Sequence, residues 1–297
     1  MTAPHSTALF QQVLPLVEET LERILPSASE PPARLHEAMR YSVFAGGKRL
    51  RPLLCVAGYR TFRSDWKRIL PVAAAIELLH TYSLIHDDLP AMDDDDFRRG
   101  LPSCHRKFGE GVAILAGDAL LTLAFETIAN SPDIPSRRIL EAIVLLSKAA
   151  GTNRGMIGGQ VMDLEAEGKS VDSEQVDRIH GAKAGALLTA SVVIGATLAE
   201  ASQEEILQIE SYGAAVGLAF QIVDDILDET AQVDTLGKTP GKDRKQGKAT
   251  YPRLHGIEAS RRRVKELTAA AREDVSRLGS GQTLLAEIAD YVETRTS

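Results

Sequence analysis

The stretch Val72-Ala73-Ala74-Ala75-Ile76-Glu77-Leu78-Leu79-His80-Thr81-Tyr82-Ser83-Leu84-Ile85-His86-Asp87-Asp88 runs a nearly unbroken apolar segment into a pair of aspartates. Val72, Ala75, Ile76, Leu79 and Tyr82 recur every three to four positions, the spacing of one helix face. A helix this apolar drives its acidic end against a core. The same spacing returns at Leu9, Val13, Leu16, Val17 and Leu21, and over 112–129, 137–150, 184–199, 204–228 and 257–293. No period-two alternation marks a strand. Aromatic residues are only 5% of a chain that is 44% hydrophobic, a balance that favours helices over sheet. The expected fold is all-α: a single domain over residues 1–297, built as a helical bundle around a central cavity.

Composition also narrows function. A net charge of −7 argues against a nucleic-acid binder, which would carry a basic face. Two cysteines, Cys55 and Cys104, are too few for a disulfide framework and lack metal-ligand spacing. The N-terminal residues lack a basic region followed by an apolar run, and no uninterrupted apolar run reaches about 20 residues. The expectation is a cytoplasmic protein without stable membrane anchoring.

Chemistry gathers at the end of the opening stretch. Asp87, Asp88, Asp93, Asp94, Asp95 and Asp96 place six carboxylates within ten residues, followed by Arg98 and Arg99. A solvated acidic turn would tolerate them, and so would divalent cations. The calcium-loop pattern fails, because the glycine and the terminal glutamate are missing at the required offsets. On a continuous helix Asp93 lies about 240° around from Asp87. A two-residue bulge at Pro90 would cut this to about 40° and return both carboxylates to one face. His80 precedes Asp87 by roughly 10 Å on that face. Hard oxygen ligands of this kind suit Mg²⁺, which shares phosphate oxygens with a substrate, and the paired arginines suit phosphate.

A second cluster, Phe220-Gln221-Ile222-Val223-Asp224-Asp225-Ile226-Leu227-Asp228, ends another helical stretch. Asp224 and Asp228 are i and i+4, with Gln221 at i−3. Carboxylates at a helix C-terminus oppose its dipole unless cations bind there. Two basic loops complement the clusters. Gly46-Gly47-Lys48-Arg49-Leu50-Arg51-Pro52 places cations at a helix N-terminus, reasonable if an anion sits among Lys48, Arg51 and the free N–H groups. Gly237-Lys238 through Lys248-Ala249-Thr250-Tyr251-Pro252 could close as a lid over the second cluster.

In this order and spacing the motifs resemble those of the trans-isoprenyl diphosphate synthases, over nearly the whole chain. Asp87-Asp88-x-x-x-x-Asp93 resembles the first aspartate-rich motif in its bacterial form, with two inserted residues, and Asp224-Asp225-x-x-Asp228 the second. Gly158-Gly159-Gln160-x-x-Asp163 and both basic loops fall where that family has them. The resemblance implies the isoprenoid synthase fold, normally a homodimer, with the aspartate motifs opposed across a deep cavity. It implies that Asp87, Asp93 and Asp224 hold Mg²⁺, three ions per active site. Asp88 belongs to the same catalytic group. Arg98, Lys183, Lys238 and Lys248 would contact the allylic diphosphate, Lys48, Arg51, His80 and Arg99 the isopentenyl diphosphate, and Gln221 would line the substrate site. Near His180-x-x-Lys183 the family continues with Thr where this chain has Ala184, which implies weaker diphosphate binding.

Tyr82, five residues before Asp87 and roughly 7.5 Å deeper along the helix, would floor the product pocket with Ser83 beside it. Together with the inserted pair, this resembles bacterial farnesyl diphosphate synthases. A geranylgeranyl synthase shares every motif and differs in pocket depth. A non-catalytic subunit of a heteromeric synthase would be expected to lose an aspartate motif, and this chain keeps both.

Overall fold

The computed structural model describes residues 8–169, 171–230, 250–278 and 282–295. Helices account for nearly all of it: α1 (Ala8–Ile24), α2 (Ala33–Val43), α3 (Leu50–Arg60), α4 (Leu70–Asp87), α5 (Cys104–Phe108), α6 (Glu110–Ala129), α7 (Ser136–Ala150), α8 (Met156–Ala166), α9 (Ser173–His180), α10 (Ala186–Leu198) and α11 (Gln203–Thr230). Three more follow, Tyr251–His255, Ile257–Val275 and Gln282–Thr294. The periodic stretch read as 257–293 is thus two helices, packed on each other and on α11.

The most apolar helices lie innermost. Residues 187–198 of α10 are buried at all but two positions, and α10 packs against α3, α7 and α11. Its approach to α3 is backbone to backbone. A side-chain carbon on Gly195 would fall 2.0 Å from the Cys55 carbonyl oxygen, and one on Gly58 2.3 Å from that of Val192. α4, similarly apolar, packs against α1, α3 and α6. Nearly all the buried apolar side chains form one continuous cluster, from Phe10 of α1 to Val292 of the last helix.

Two expectations need correction. A short antiparallel pair, β1 (Phe97–Arg98) with β2 (Leu101–Pro102), interrupts the helices. Its two-residue loop has positive φ at both Arg99 (56°) and Gly100 (78°), the form that matches strand twist. Two-residue strands are too short to leave an alternation in sequence. Four helical segments, Trp66–Asp87, Glu110–Ala129, Ser173–Leu198 and Gln203–Thr230, are long and apolar enough to cross a membrane by length and composition. Counting only uninterrupted apolar runs missed them, because a helix tolerates a few polar residues. In this fold 72% of the apolar stretch in Trp66–Asp87 and 67% of that in Ser173–Leu198 is buried by other helices, whereas α6 buries 39%. α6 and α7 leave Ile114, Leu115, Leu140 and Val144 exposed.

Candidate active site

α4 ends at Asp87, and the chain turns back at once instead of continuing as a bulged helix through Pro90. The Asp93 N–H donates to the Asp87 carbonyl (2.8 Å), and Asp95 N–H to that of Asp88 (3.2 Å). Met92 and Asp94 both donate to Leu89, with Asp94 in the left-handed region (φ 49°). Asp93 therefore returns beside Asp87 by loop closure, which corrects the expected bulge while keeping the two residues together. Burial pushes the Asp87 carboxyl up to about 6, with Asp93 and Asp88 adding repulsion and Lys183 and Arg98 opposing.

Asp88 plays a different part from its neighbour. It is 2% exposed and accepts from Arg98 Nε at 3.0 and 3.1 Å and also from Arg98 Nη2. Asp95 stands 3.6 Å from the same guanidinium. Burial disfavours the Arg98 charge, but these carboxylates, Asp88 foremost, raise its pKa overall. The β1–β2 turn sends Arg99 the other way, its Nη1 donating to the Gly46 carbonyl.

Arg99 thereby joins a half-buried group with Arg51 and His80, whereas Lys48, also half-buried, feels Arg295 instead. Burial, then Arg295, lowers Lys48 to about 8; burial, with Arg99 adding, lowers Arg51 to about 10. Burial first and then Arg51, Arg99, Arg98 and Arg49 hold His80 well below the usual imidazole range, so it is neutral at pH 7. Arg51 Nε and His80 Nδ1 are buried without a hydrogen-bond partner among the described residues. Buried donors are almost always satisfied, so these point to an anion or water bound there.

Across from the first cluster the backbone widens into a π-turn, Gly181–Gly185, a form that concentrates at functional sites. It presents Lys183, whose Nζ donates to Asp163 of α8 at 2.6 Å. α8 comes close enough because of Gly159: a side-chain carbon there would lie 2.3 Å from the Lys183 backbone nitrogen. Gln160, buried, has neither amide atom partnered among the described residues. Ala184 follows Lys183 within the π-turn.

On α11 the two clustered aspartates again diverge. Asp224 pairs with Arg295 Nη2 from just beyond the last helix, and the Arg295 guanidinium lies over the Phe220 ring at 3.9 Å. Asp225 is 5% exposed, accepting from Gln221 Nε2 (3.1 Å) and from the Tyr251 N–H (2.9 Å), with His180 Nε2 at 3.5 Å. Gln221, one turn before both aspartates on α11, thus spends its amide N–H on Asp225. Lys238 and Lys248 lie outside the described residues.

Among the described residues no three His, Cys, Asp or Glu side chains converge into a ready metal cage. Carboxylates in pairs, one of them strained by burial and repulsion, nevertheless fit Mg²⁺, which keeps waters and takes its remaining ligands from substrate phosphates. Asp87 and Asp93 could hold it on one side and Asp224 on the other.

Beneath Asp87, Tyr82 is 6% exposed with its ring edge-on to His86 at 5.7 Å, and the Ser83 hydroxyl donates to the His80 carbonyl. Sequence reasoning missed Arg295 and gave no role to Gln160 or to Asp163 as the partner of Lys183. The Gly-Gly-Gln-x-x-Asp motif pointed toward the last two; nothing in the pattern flagged Arg295.

The comparisons agree with this geometry. Residues 32–287 match the polyprenyl synthetase family. A dimethylallyltranstransferase of Fischerella ambigua is 47% identical, over 94% of this chain and 81% of its own length. Geranylgeranyl pyrophosphate synthase 4 of Arabidopsis thaliana is 46% identical, over 86% and 69%. Among solved structures, an FPP/GFPP synthase from Zymomonas mobilis superposes with a TM-score of 0.86 at 38% identity, over 96% of this chain and 98% of that one. A geranyltransferase of Helicobacter pylori, complexed with magnesium and isoprenyl diphosphate, gives 0.83 at 32% identity, over 97% of both chains. The isoprenoid synthase fold, the aspartate clusters and the cationic loops have one common explanation: this chain belongs to the polyprenyl synthetase family, the trans-isoprenyl diphosphate synthases.

Proposed function

We propose that this prenyltransferase condenses isopentenyl diphosphate with dimethylallyl and then geranyl diphosphate, releasing farnesyl diphosphate. The observation that carries the reading is a segregation of charge. Asp87, half-buried and raised to about 6, stands with Asp93, while Lys48 and Arg51, also half-buried, have lowered pKa values. Excess acid on one side and excess base on the other suit Mg²⁺ with one diphosphate and a second diphosphate held by cations alone.

Mg²⁺, three ions in our reading, supplies charge neutralisation of the departing allylic diphosphate. Asp87, Asp93 and Asp224 hold it, and Arg98 and Lys183 bind the same diphosphate, with Lys238 and Lys248 added from outside the described residues. Arg98 is kept charged and in place by Asp88. Lys48, Arg51 and Arg99 grip the isopentenyl diphosphate, and neutral His80 adds a hydrogen bond without competing charge. Their fixed geometry brings the double bond of one substrate against the allylic carbon of the other. Apolar walls from α4 and α6 exclude water from the cation that forms. The Lys183–Asp163 pair holds the ammonium until a phosphate oxygen replaces the carboxylate. Ala184, in place of Thr, leaves the allylic diphosphate one hydroxyl contact short and so weakens its binding.

Tyr82, buried one and a half turns below Asp87, supports the fifteen-carbon product. A geranylgeranyl product is the second reading, favoured by relatives with that name. Incubating the purified protein with isopentenyl and dimethylallyl diphosphates and sizing the dephosphorylated products separates them: a farnesyl chain is expected, and a dominant twenty-carbon chain overturns the farnesyl reading. We further read residues 1–297 as one domain, the chain as cytoplasmic, and the exposed apolar face of α6 and α7 as the homodimer contact. A strictly monomeric mass in solution would refute the last point.

A further inference from the structure

Arg49 stands inside the cationic loop yet points away from its neighbours' pocket. It is 3% exposed, with Nε donating to Glu18 (2.7 Å), Nη1 to Glu77 (2.9 Å) and Nη2 to the Val43 carbonyl (2.7 Å). Its backbone is left-handed (φ 49°), a conformation that L-residues with a side chain rarely adopt. Gly46 and Gly47 before it also have positive φ. These three positive-φ residues turn Arg49 inward and leave Lys48 and Arg51 for the pocket. Strain of this kind persists only where the surroundings over-determine it, and the over-determining partners are Glu18, Glu77 and Val43.

Glu77 has a second role that Glu18 does not share to the same degree. It is 1% exposed in the middle of α4, the one charged side chain in an otherwise apolar run. Four guanidiniums, Arg49, Arg51, Arg98 and Arg99, crowd His80 three residues further along. Glu77 is the foremost carboxylate opposing the destabilisation of both Arg51 and Arg99, whereas Glu18 is 41% exposed in its side chain. A buried carboxylate under a cation cluster keeps the cluster assembled before its anionic ligand arrives.

We propose that Glu77 is a positioning residue of the isopentenyl diphosphate site, acting through Arg49 to set the loop that presents Lys48 and Arg51. This rests on the reading of that pocket given above. It assigns a function to a residue that touches neither substrate.

The test is Glu77→Gln, isosteric but uncharged, with Glu77→Asp as the charge-retaining variant. The Michaelis constant for isopentenyl diphosphate is expected to rise about tenfold or more in Glu77→Gln, the loss of one charge-assisted contact. The constant for the allylic substrate and kcat should stay within about threefold. Glu77→Asp should recover part of the loss. Should Glu77→Gln fail to fold by circular dichroism, Arg49→Lys takes its place, with the same selective rise expected. Parallel rises for both substrates, a fall in kcat alone, or no change overturns the proposal. Calorimetric titration of isopentenyl diphosphate in EDTA separates the two levels: no binding by the unaltered protein defeats the site assignment, whereas equal binding by it and Glu77→Gln defeats only the role of Glu77.

Discussion

Asp87 and Asp88 are adjacent, chemically identical and expected to respond oppositely when either becomes Asn. Asp88 is the buried partner of Arg98, and removing one side of a buried pair costs about 3–5 kcal/mol. Asp95, 3.6 Å from the same guanidinium, offsets part of that, leaving about 3 kcal/mol. Asp87 is the reverse case. Its folded pKa of about 6 lies above the ordinary aspartate value of 3.8, so the folded state binds the proton more tightly than the unfolded chain. Its ionisation therefore opposes folding above pH 6, and the penalty shrinks as pH falls through 6 and is gone below 3.8. The gap between the two values corresponds to at most about 3 kcal/mol, and partial exposure reduces this to about 1–2 kcal/mol.

In metal-free protein at pH 8, Asp88→Asn should melt about 6 °C lower and Asp87→Asn about 2–4 °C higher. At pH 4 the gain from Asp87→Asn should nearly vanish. Added Mg²⁺ should raise the melting temperature of the unaltered protein more than that of Asp87→Asn. The assay is circular dichroism melting in EDTA at both pH values. Shifts of the same sign for the two variants at pH 8 would refute the assignment of one aspartate to structure and the other to the site.

Tyr82→Ala should lengthen the product by at least one five-carbon unit, at a stability cost of about 3 kcal/mol; unchanged chain length by chromatography removes Tyr82 from the pocket floor. Gly159→Ala forces a methyl into the backbone at Lys183, and overpacking of this kind costs about 1–3 kcal/mol. It should also pull Lys183 from Asp163, raising the allylic Michaelis constant more than the isopentenyl one. An equal effect on both would mean that the close contact serves packing only.

The longer helices were legible, because burial on one face leaves a 3.6-residue period, whereas the shorter α2, α5, α8 and α9 fell outside every periodic stretch. The stretches 112–129, 137–150 and 204–228 fall within a few residues of α6, α7 and α11. The turn after Asp87 was legible as a break at Pro90 but not as a path. Hydrogen bonds such as Asp93 N–H to Asp87 carbonyl join backbone atoms and leave no side-chain pattern.

The divergence of Asp87 from Asp88, and of Asp224 from Asp225, had the same cause: a pair of aspartates does not say which one meets a buried partner. Arg295 reaches Asp224 across some seventy residues of chain, a contact no local spacing encodes. Glu77 was the missed signal with the clearest physics, a lone carboxylate inside an apolar helix that needs a buried cation opposite it.

The most direct test of magnesium-dependent prenyl transfer is turnover by the purified chain alone, with isopentenyl and dimethylallyl diphosphates, in Mg²⁺ and in EDTA, alongside Asp224→Ala. We expect prenyl diphosphate only with Mg²⁺, and a rate at least about a hundredfold lower in Asp224→Ala, as for loss of transition-state charge stabilisation. No product in Mg²⁺, or a rate indifferent to both EDTA and Asp224→Ala, would contradict the account.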